Sequence, residues 1–535
     1  MRVSLCSFIL RLSAAFLLTL AGHAQALTVA EALVLATGDN DERIELMSQL
    51  SASDDAQGHA LMRALGEERV RIQAQRVLII NDDHAVDAVS GKSVLLTEMA
   101  EEALVNNRLR GAIEVGLAGV DVLSGSPDQQ LAAARILQRS AFDDPQLSQL
   151  PLLQKALALP QLADETQQLL LLASAAVALQ SDDVAVRLDA AQKLGEAKRA
   201  VVRPLLLQAQ TNELDVGVQT ALKASLAAVD RALLFSNILA QLFTGVSLGS
   251  ILLLAALGLA ITYGLMGVIN MAHGELIMIG AYTTWLVHVA FRQWLPAFFD
   301  LYLWVATPVA FLVSAAVGAL MERFVIRFLY GRPLETLLAT WGISLVLMQA
   351  VRTLFGAQNV GVENPSWMSG SVLLMGNLSL PWNRVLIILF ALAVLMGVAL
   401  LISKTRLGLF VRGVTQNRPI AACMGVNTAR VDTYAFALGS GVAGLAGCAL
   451  SQIGNVGPDL GQNYIVDSFM VVVLGGVGQL AGTVYAALGL GLLNKFIEGW
   501  AGAVLAKITV LIFIIIFIQK RPQGIFAMKG RSAQS

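Results

Sequence analysis

The sequence predicts an all-α protein: a polytopic membrane bundle of eight or nine spans preceded by an exported helical domain. The 535 residues are 56% hydrophobic and only 14% charged, with a mean hydropathy of +0.66. Soluble globular chains are roughly 25% charged. Residues 1–230 carry 29 of the 38 acidic but only 19 of the 37 basic residues, so their formal charge is −10 and that of the remainder is +9. This asymmetry indicates two bodies in different surroundings, and neither has the concentrated basic patch of a nucleic-acid-binding protein.

Residues 1–26 have the pattern of a removable export signal. Arg2 and Arg11 precede the apolar run 12–21, and Ala24-Gln25-Ala26 supplies a small-x-small cleavage pattern. The run has about ten residues, whereas roughly twenty are needed to cross a bilayer core, which disfavours a short first membrane helix. We therefore expect the mature chain to begin near Leu27.

The exported domain, residues 27–230, is predicted to be helical because its apolar residues recur at helical spacing. Segment 183–186, followed by Leu194, is echoed 32 residues later by segment 215–218, followed by Leu226. The echo suggests stacked helix pairs of the HEAT type, but an irregular helical bundle explains it nearly as well. No cluster of residues in this domain indicates a binding site.

Nine apolar runs in the second half of the chain can be drawn as membrane helices. They are 238–262, 271–291, 301–320, 336–355, 384–403, 432–451, 465–480, 482–498 and 504–518. Glycines interrupt the seventh and eighth runs at 475, 476, 478 and 482, so these two runs could instead form a re-entrant hairpin.

The basic residues of the second half predict its orientation. They lie in the loop 323–332, in the loop 404–430 and in the tail after Lys520, and such loops face the cytoplasm. With nine crossings, residue 235 is then outside, in agreement with the export signal. We expect a multi-pass inner-membrane protein with domain 27–230 periplasmic, a transmembrane domain at 236–520 and a cytoplasmic tail at 521–535.

Polar residues within the apolar runs are costly in hydrocarbon unless they face protein or water, so they are candidates for a polar route through the membrane. Any single one of them could equally be an interhelical hydrogen bond. The candidates are Asn270, His273, Glu275, Thr340, Trp341, Ser344, Ser440, Asp467 and Ser468.

No motif predicts catalysis or a cofactor in this chain. The G-x-G-x-x-A pattern at 476–481 follows a membrane span and lacks a βαβ unit, so close helix packing explains it better than nucleotide binding. His273 and Glu275 do not have zinc-ligand spacing. The P-loop pattern is absent from the sequence, so we expect any ATP hydrolysis to be performed by another polypeptide.

The run Tyr263–Tyr282 resembles the signature of the LivH-type branched-chain amino-acid permeases of ABC importers. Segments 406–412 and 421–427 resemble the cytoplasmic loop by which such permeases engage their ATPases, although the glutamate of the general EAA pattern is missing. Small residues at helical spacing would let a short helix enter a groove on the ATPase, with arginines meeting carboxylates at its rim. The predicted coupling residues are Arg406, Arg412, Arg418, Ala421, Ala422, Gly425 and Arg430.

Within this family, segments 334–342, 451–458, 467–476 and 519–524, together with the exported extension, resemble the urea-type permease subunits. The resemblance implies an importer in which a periplasmic solute-binding protein captures urea or a close small amide. Two permease chains would form the path, and two cytosolic ABC ATPases would use ATP to drive it. The alternatives are a permease for branched-chain amino acids or other amides, a passive urea channel, and a membrane-tethered sensor. The docking loop disfavours the channel.

Overall fold

The computed structural model describes residues 27–53, 55–81, 84–94, 100–374, 377–521 and 523–526. The expected export signal, residues 1–26, and residues 527–535 of the expected tail lie outside the described residues. The chain forms two units, and the boundary between them in the sequence lies between Leu233 and Leu234.

The amino-terminal unit is mainly helical and has its own apolar cores. Its first helices precede a small sheet, and the later ones pack largely in chain order: α4 lies on α5, α5 on α7, and α7 on α8. The described helices are α1 Val29–Thr37, α2 Asn40–Ala52, α3 Ala56–Gly66, α4 Asn107–Ser124, α5 Pro127–Asp143, a 3-10 turn Leu147–Gln149, α6 Leu150–Leu157, α7 Asp164–Ala178, α8 Val184–Ala197, α9 Val202–Asn212 and the start of α10, Val216–Met266.

The 32-residue echo in the sequence marks two helix starts. A carboxylate oxygen of Asp183 accepts the backbone N–H of Ala185 (2.9 Å) at the start of α8. Asp215 accepts that of Val218 (3.0 Å) at the start of α10 in the same way. Such caps satisfy N–H groups that have no partner inside the helix, so each aspartate fixes where its helix begins.

A five-stranded antiparallel sheet in the amino-terminal unit was not predicted. Its order is β4-β3-β2-β1-β5. The strands are short: β1 Val70–Gln73, β2 Arg76–Asn81, β3 His84–Asp87, β4 Ser93–Val94 and β5 Glu101–Glu102. The turn between β1 and β2 consists of Ala74 and Gln75, both with positive φ (47° and 61°). Glycine and asparagine usually fill such turns, so the sequence carries no hairpin signal here.

The prediction of an all-α polytopic membrane protein is confirmed for the chain as a whole. Eight described helices are long and apolar enough to cross a membrane. The run expected at 465–480 corresponds to a shorter helix of 16 residues. The membrane unit contains the rest of α10, α11 His273–Trp294, a 3-10 segment Pro296–Leu301, α12 Tyr302–Phe324, a 3-10 turn Ile326–Leu329, α13 Pro333–Phe355, a 3-10 turn Ser366–Met368, the hairpin β6 Ser371–Leu374 and β7 Leu378–Pro381, α14 Trp382–Lys404, α15 Arg406–Gln416, α16 Arg418–Cys423, α17 Thr428–Ser451, α18 Leu460–Gly475, α19 Leu480–Ala501 and α20 Ala503–Lys520.

The two ends of the membrane unit contain different elements. The end with β6 and β7, which we name the hairpin end, also has Val360 and Val456 paired through backbone bonds of 2.8 Å. The opposite end, which we name the basic end, contains the segment 325–332, helices α15 and α16, and the described residues 520–521 and 523–526. Its parts are joined where Tyr330 contacts Met266 and where Gly264 lies against Gly478.

Helix α18 connects these two ends although it is short. Just before it, Asp459 accepts a hydrogen bond of 2.5 Å from Arg352, near the end of α13. Near its last residue, the Leu474 carbonyl accepts the N–H of Ile525 (2.8 Å) at the basic end. Together with the non-helical residues 452–459, α18 therefore crosses the unit once.

A helix, a non-helical break and a second helix occur in the same order twice. The first set is α10, residues 267–272 and α11, and the second is α17, residues 452–459 and α18. The starts of α11 and α18 meet inside the unit at Gly274 and Gly461, where a Cβ on either glycine would collide with the backbone of the other. Only glycine permits this approach at both positions.

Candidate functional site

The break at residues 267–272 places polar side chains in the interior of the membrane unit. Asn270 is fully buried, and its side-chain oxygen accepts the N–H of Ala272 (3.1 Å), which shapes the turn. His273, also fully buried, is anchored through Nε2 to the carbonyl of Ala255 on α10 (2.9 Å). The bond from His273 holds the start of α11 against α10.

Glu275, in the first turn of α11, is 1% exposed and is bonded to α13. One carboxylate oxygen accepts a hydrogen bond of 2.9 Å from the Ser344 hydroxyl. One turn earlier on α13, the Thr340 hydroxyl oxygen accepts the N–H of Met271 (3.1 Å). Ser344 and Thr340, one helical turn apart on α13, therefore bind the Glu275 carboxylate and the backbone of the break, respectively. We name Asn270, His273, Glu275, Thr340 and Ser344 the Glu275 cluster.

The Glu275 cluster, and Tyr282 on the same helix as Glu275, have hydrogen-bonding capacity that the described protein atoms leave unused. Buried atoms without a described partner are the second oxygen of Glu275, the side-chain nitrogen of Asn270, Nδ1 of His273 and the hydroxyl of Tyr282. Tyr282 is two helical turns after Glu275, so both lie on one face of α11. A buried polar group without a partner costs about 1–3 kcal/mol, so such a concentration is expected where a ligand or water supplies the missing bonds.

Charged groups flank the cluster toward the hairpin end. Arg352 and Asp459 form an ion pair of 2.5 Å. The start of a helix carries a partial positive charge, which favours the carboxylate of Glu275 in the first turn of α11. The cluster is thus a buried region with one held carboxylate and mixed donors and acceptors.

Four of the predicted path residues lie outside this cluster. Trp341 is 51% exposed on another face of α13. Ser440 on α17 is buried against Gly318 of α12, and its hydroxyl has no partner among the described residues. On α18, Ser468 donates to the carbonyl of its own helix at Tyr464 (2.7 Å), and Asp467 lies half-buried near the charge of Lys507.

The sequence analysis missed Tyr282, Arg352 and Asp459. The spacing of seven residues between Glu275 and Tyr282 was a usable signal, because it places both on one helix face. The pairing of Arg352 with Asp459 had no sequence signal, since 107 residues separate them.

The predicted coupling loop forms α15 and α16 at the basic end, with most of its side chains exposed. Arg406, Arg412, Ala422, Gly425 and Arg430 are exposed. Gly425 has φ +82°, and no atom would contact a Cβ built there. The loop therefore presents an accessible surface with a left-handed turn next to α16.

Two of the predicted coupling residues face their own chain. Ala421 is buried and packs with Val411, Val414 and Val431. Arg418 donates to the carboxylate of Asp432 at the start of α17. Their contact with a partner stays a prediction.

The described residues contain no group of three or more His, Cys, Asp or Glu side chains arranged to hold a metal ion. The structure therefore offers the Glu275 cluster and the exposed loop as the features on which a function can be built.

Comparison with known proteins identifies the family. A family model described as the branched-chain amino acid transport system permease component matches residues 241–519. The chain is 28% identical over 293 residues to the high-affinity branched-chain amino acid transport system permease protein BraD of Pseudomonas aeruginosa, covering 54% of this chain and 95% of that one. It is 29% identical over 298 residues to the corresponding LivH of Salmonella typhimurium, covering 54% and 96%.

A third relative is a probable branched-chain amino acid transport permease protein LivH of Methanocaldococcus jannaschii, 26% identical over 291 residues, with 52% and 88% of the two chains covered. No solved structure gives a significant match. The matched family region begins at residue 241, within α10, so the whole amino-terminal unit lies outside it. Because the family model covers more than half of the sequence, the chain belongs to the family of branched-chain amino acid transport system permease components.

Proposed function

We propose that this permease subunit belongs to an ATP-driven importer that moves urea, or a closely related small amide, across the inner membrane. The observation that carries the substrate assignment is the Glu275 cluster. The free nitrogen of Asn270 is a donor, and the free oxygen of Glu275 is an acceptor. Urea has a carbonyl that accepts and two amide groups that donate, so it can use both.

A branched-chain amino acid is the second candidate, because the named relatives are permeases for that class. Such a substrate brings a carboxylate, an ammonium group and an apolar side chain. The basic side chain near the cluster, Arg352, is already paired with Asp459. The neutral urea molecule needs no such charge partner, which together with the urea-type sequence segments favours urea.

We assign the basic end to the cytoplasm and the amino-terminal unit to the periplasm. The basic loops and the residues that follow α20 lie at the same end of the membrane unit, as the positive-inside rule requires. The eight long helices and α18 make nine crossings. Residue 235 and the carboxyl terminus then lie on opposite sides, which agrees with the expected export signal.

The basic end supplies a docking surface for the ATPase subunits. Next to Gly425 is a cavity of about 450 Å³ whose lining includes the apolar side chains of Leu407, Phe410, Met424, Val431 and Tyr434 and also Arg430. Ile420 of the same loop is exposed. An apolar groove that contains an arginine suits an amphipathic segment of a partner that carries carboxylates.

The remaining partners belong to the same proposal. A second permease subunit would complete the path in the bilayer, and a periplasmic solute-binding protein would deliver the substrate. ATP is used by the two ATPase subunits and not by this chain, whose sequence has no P-loop.

The proposal is tested by reconstituting the full complex in liposomes and measuring uptake of labelled urea and labelled leucine from the side carrying the binding protein. ATP-dependent accumulation of urea supports it. Accumulation of leucine without urea would establish the second candidate. Urea flux that only equilibrates the two sides, with or without ATP, would indicate a channel, and the absence of uptake of either solute would indicate the sensor.

A further inference from the structure

The basic end contains a buried ionic network that neither the Glu275 cluster nor the docking surface includes. Its centre is Glu322, near the end of α12, whose carboxylate is fully buried. One oxygen accepts the hydroxyl of Tyr330 (3.0 Å), and the other accepts the hydroxyl of Thr433 on α17 (2.6 Å). Arg327 lies 3.5 Å from the second oxygen. Glu322 therefore ties α12 to α17 and to the segment 325–332.

Arg418 extends this network into the coupling loop. It is the first residue of α16, and its guanidinium donates to Asp432, whose side chain is 4% exposed. The same guanidinium lies over the ring of Tyr330, 5.1 Å from the ring centre. Because the Tyr330 hydroxyl bonds to Glu322, one chain of contacts runs from α16 through Arg418 and Tyr330 to α12.

The two carboxylates make this chain of contacts sensitive to movement. A buried carboxylate that loses its partner costs several kcal/mol, whereas an exposed ion pair contributes about 0–1 kcal/mol. If α16 moved away from α17, Asp432 would lose its arginine and Tyr330 would lose the cation over its ring. The lowest-energy response is for α17 and the 325–332 segment to follow α16.

Helices α12 and α17 are packed closely enough to pass such a movement on. Small residues let their backbones approach: Gly318 lies against Ser440, and Gly444 lies against Ser314. Gly280 of α11 contacts Gly444 in the same region, so the helix that carries Glu275 belongs to the same packed body.

We propose that Arg418, Asp432, Tyr330 and Glu322 form a coupling joint that transmits displacement of α16 by the ATPase subunits to α12, α17 and α11. Arg418 is a positioning residue that acts inside its own chain, although its side chain is 43% exposed. Arg406, Arg412 and Arg430 are left to meet the partner. The identity of the partner rests on the proposed function. The joint itself rests on the contacts within this chain.

The test is a double-mutant cycle on the full complex with Arg418→Gln, Asp432→Asn and both together. Arg332→Gln is the matched control, because Arg332 forms an exposed ion pair with Glu335 at the same end of the unit and takes no part in the joint, so its loss should leave uptake unchanged. Uptake, substrate-stimulated ATP hydrolysis and retention of the ATPase subunits on purification are measured together. We expect Arg418→Gln to lower uptake about tenfold with the ATPases retained. We expect the double variant to be no worse than either single one.

Two results would overturn the joint. In the first, Arg418→Gln releases the ATPases while Asp432→Asn leaves uptake unchanged, which would place Arg418 at the partner interface. In the second, the melting temperatures of the detergent-solubilised variants fall additively, which would show that Arg418 and Asp432 do not interact. The melting measurement needs no transport, so it tests the joint even if the wild-type complex moves neither solute, a result that would count against the proposed function alone. Tyr330→Phe removes only the hydroxyl that reaches Glu322 and should give an intermediate loss of uptake.

Discussion

Ser344 donates a hydrogen bond of 2.9 Å to Glu275 and so connects the middle of α13 to the first turn of α11. The two residues are 69 positions apart in the sequence, and both are buried. The bond holds one carboxylate oxygen in place and leaves the other without a described partner. A fixed acceptor with one free oxygen can accept a hydrogen bond from the amide group of the proposed substrate.

Replacing Ser344 with alanine should impair both transport and stability. The change leaves a buried carboxylate oxygen unpaired, which costs about 1–3 kcal/mol. We expect a fall in the melting temperature of the detergent-solubilised chain and a loss of ATP-driven uptake. Thr353→Ala is the control, because Thr353 is exposed on the same helix and donates to the carbonyl of Gln349. If the two variants have the same melting temperature and the same ATP-driven uptake, Ser344 does not belong to the site.

Replacing Gly425 with tryptophan should make the rate of ATP hydrolysis independent of substrate. The indole would stand in the open space beside the docking cavity and obstruct the partner. Membrane insertion and docking of the solute-binding protein should persist, whereas stimulation of ATP hydrolysis by substrate should be abolished. Gly425→Ala controls for the positive φ, because it introduces the strain of about 1–2 kcal/mol without the bulk. Full stimulation in the tryptophan variant would move the docking contact to the loop from Arg323 to Glu335.

In the amino-terminal unit, Glu213 should make stability depend on pH. Arg187 binds its carboxylate through two bonds of 2.8 and 3.0 Å. The side-chain hydrogen bond from Arg187 lowers the pKa of Glu213 below its ordinary value of 4.5. The unfolded state then takes up the proton first as pH falls. The stabilisation is complete above pH 4.5 and is lost as pH falls through the lowered pKa.

The measurement is the hydrogen-exchange protection of α8 and α9 in the full chain, corrected for the intrinsic pH dependence of exchange. Glu213→Gln should reduce protection at pH 7, and the difference from wild type should shrink below pH 4.5. Asp230→Asn is the control, since the ion pair of Asp230 with Arg203 is about half exposed and contributes little. If the difference in protection between wild type and Glu213→Gln does not change with pH, the Glu213 carboxylate is not the source of the pH dependence.

The orientation can be tested with a native thiol. Cys423 in α16 is exposed, whereas Cys448 is buried. A membrane-impermeant maleimide should leave Cys423 unlabelled in spheroplasts with an intact inner membrane and label it after permeabilisation. In a Cys423→Ser background, Ala100→Cys should be labelled without permeabilisation. Labelling of both positions from the same side would contradict nine crossings.

The sequence indicated the parts of the site that are contiguous in the chain. Asn270, His273 and Glu275 fall in one motif, and their cost in hydrocarbon marked them as candidates. Their partners on α13 come from a segment far along the chain, and only tertiary packing determines which hydroxyl reaches which carboxylate. Residues such as Trp341 and Ser344 lie on the same apolar run, and helical periodicity alone does not say which face meets α11.

In the fold as well, features set by local sequence were predicted and features set by distant contacts were not. Apolar runs predicted the long helices because each has the length and composition for a bilayer. The sheet was missed because Ala74 and Gln75 form the turn between β1 and β2 without the usual glycine or asparagine. Helix α18 was placed too late in the sequence because its start at Leu460 follows a non-helical segment fixed by Val360 and Arg352, residues about 100 positions away.

The most direct test of the proposed function is ATP-dependent accumulation of labelled urea by the reconstituted complex, compared between wild type and Glu275→Leu. Leucine removes the carboxylate oxygens that Ser344 bonds while it keeps carbon atoms as far as Cδ. The predicted result is that wild type concentrates urea only when ATP is present, and that Glu275→Leu assembles with its partners but does not concentrate urea. The contradictory result is undiminished urea accumulation by Glu275→Leu, or a wild-type complex that concentrates leucine and leaves urea at equilibrium.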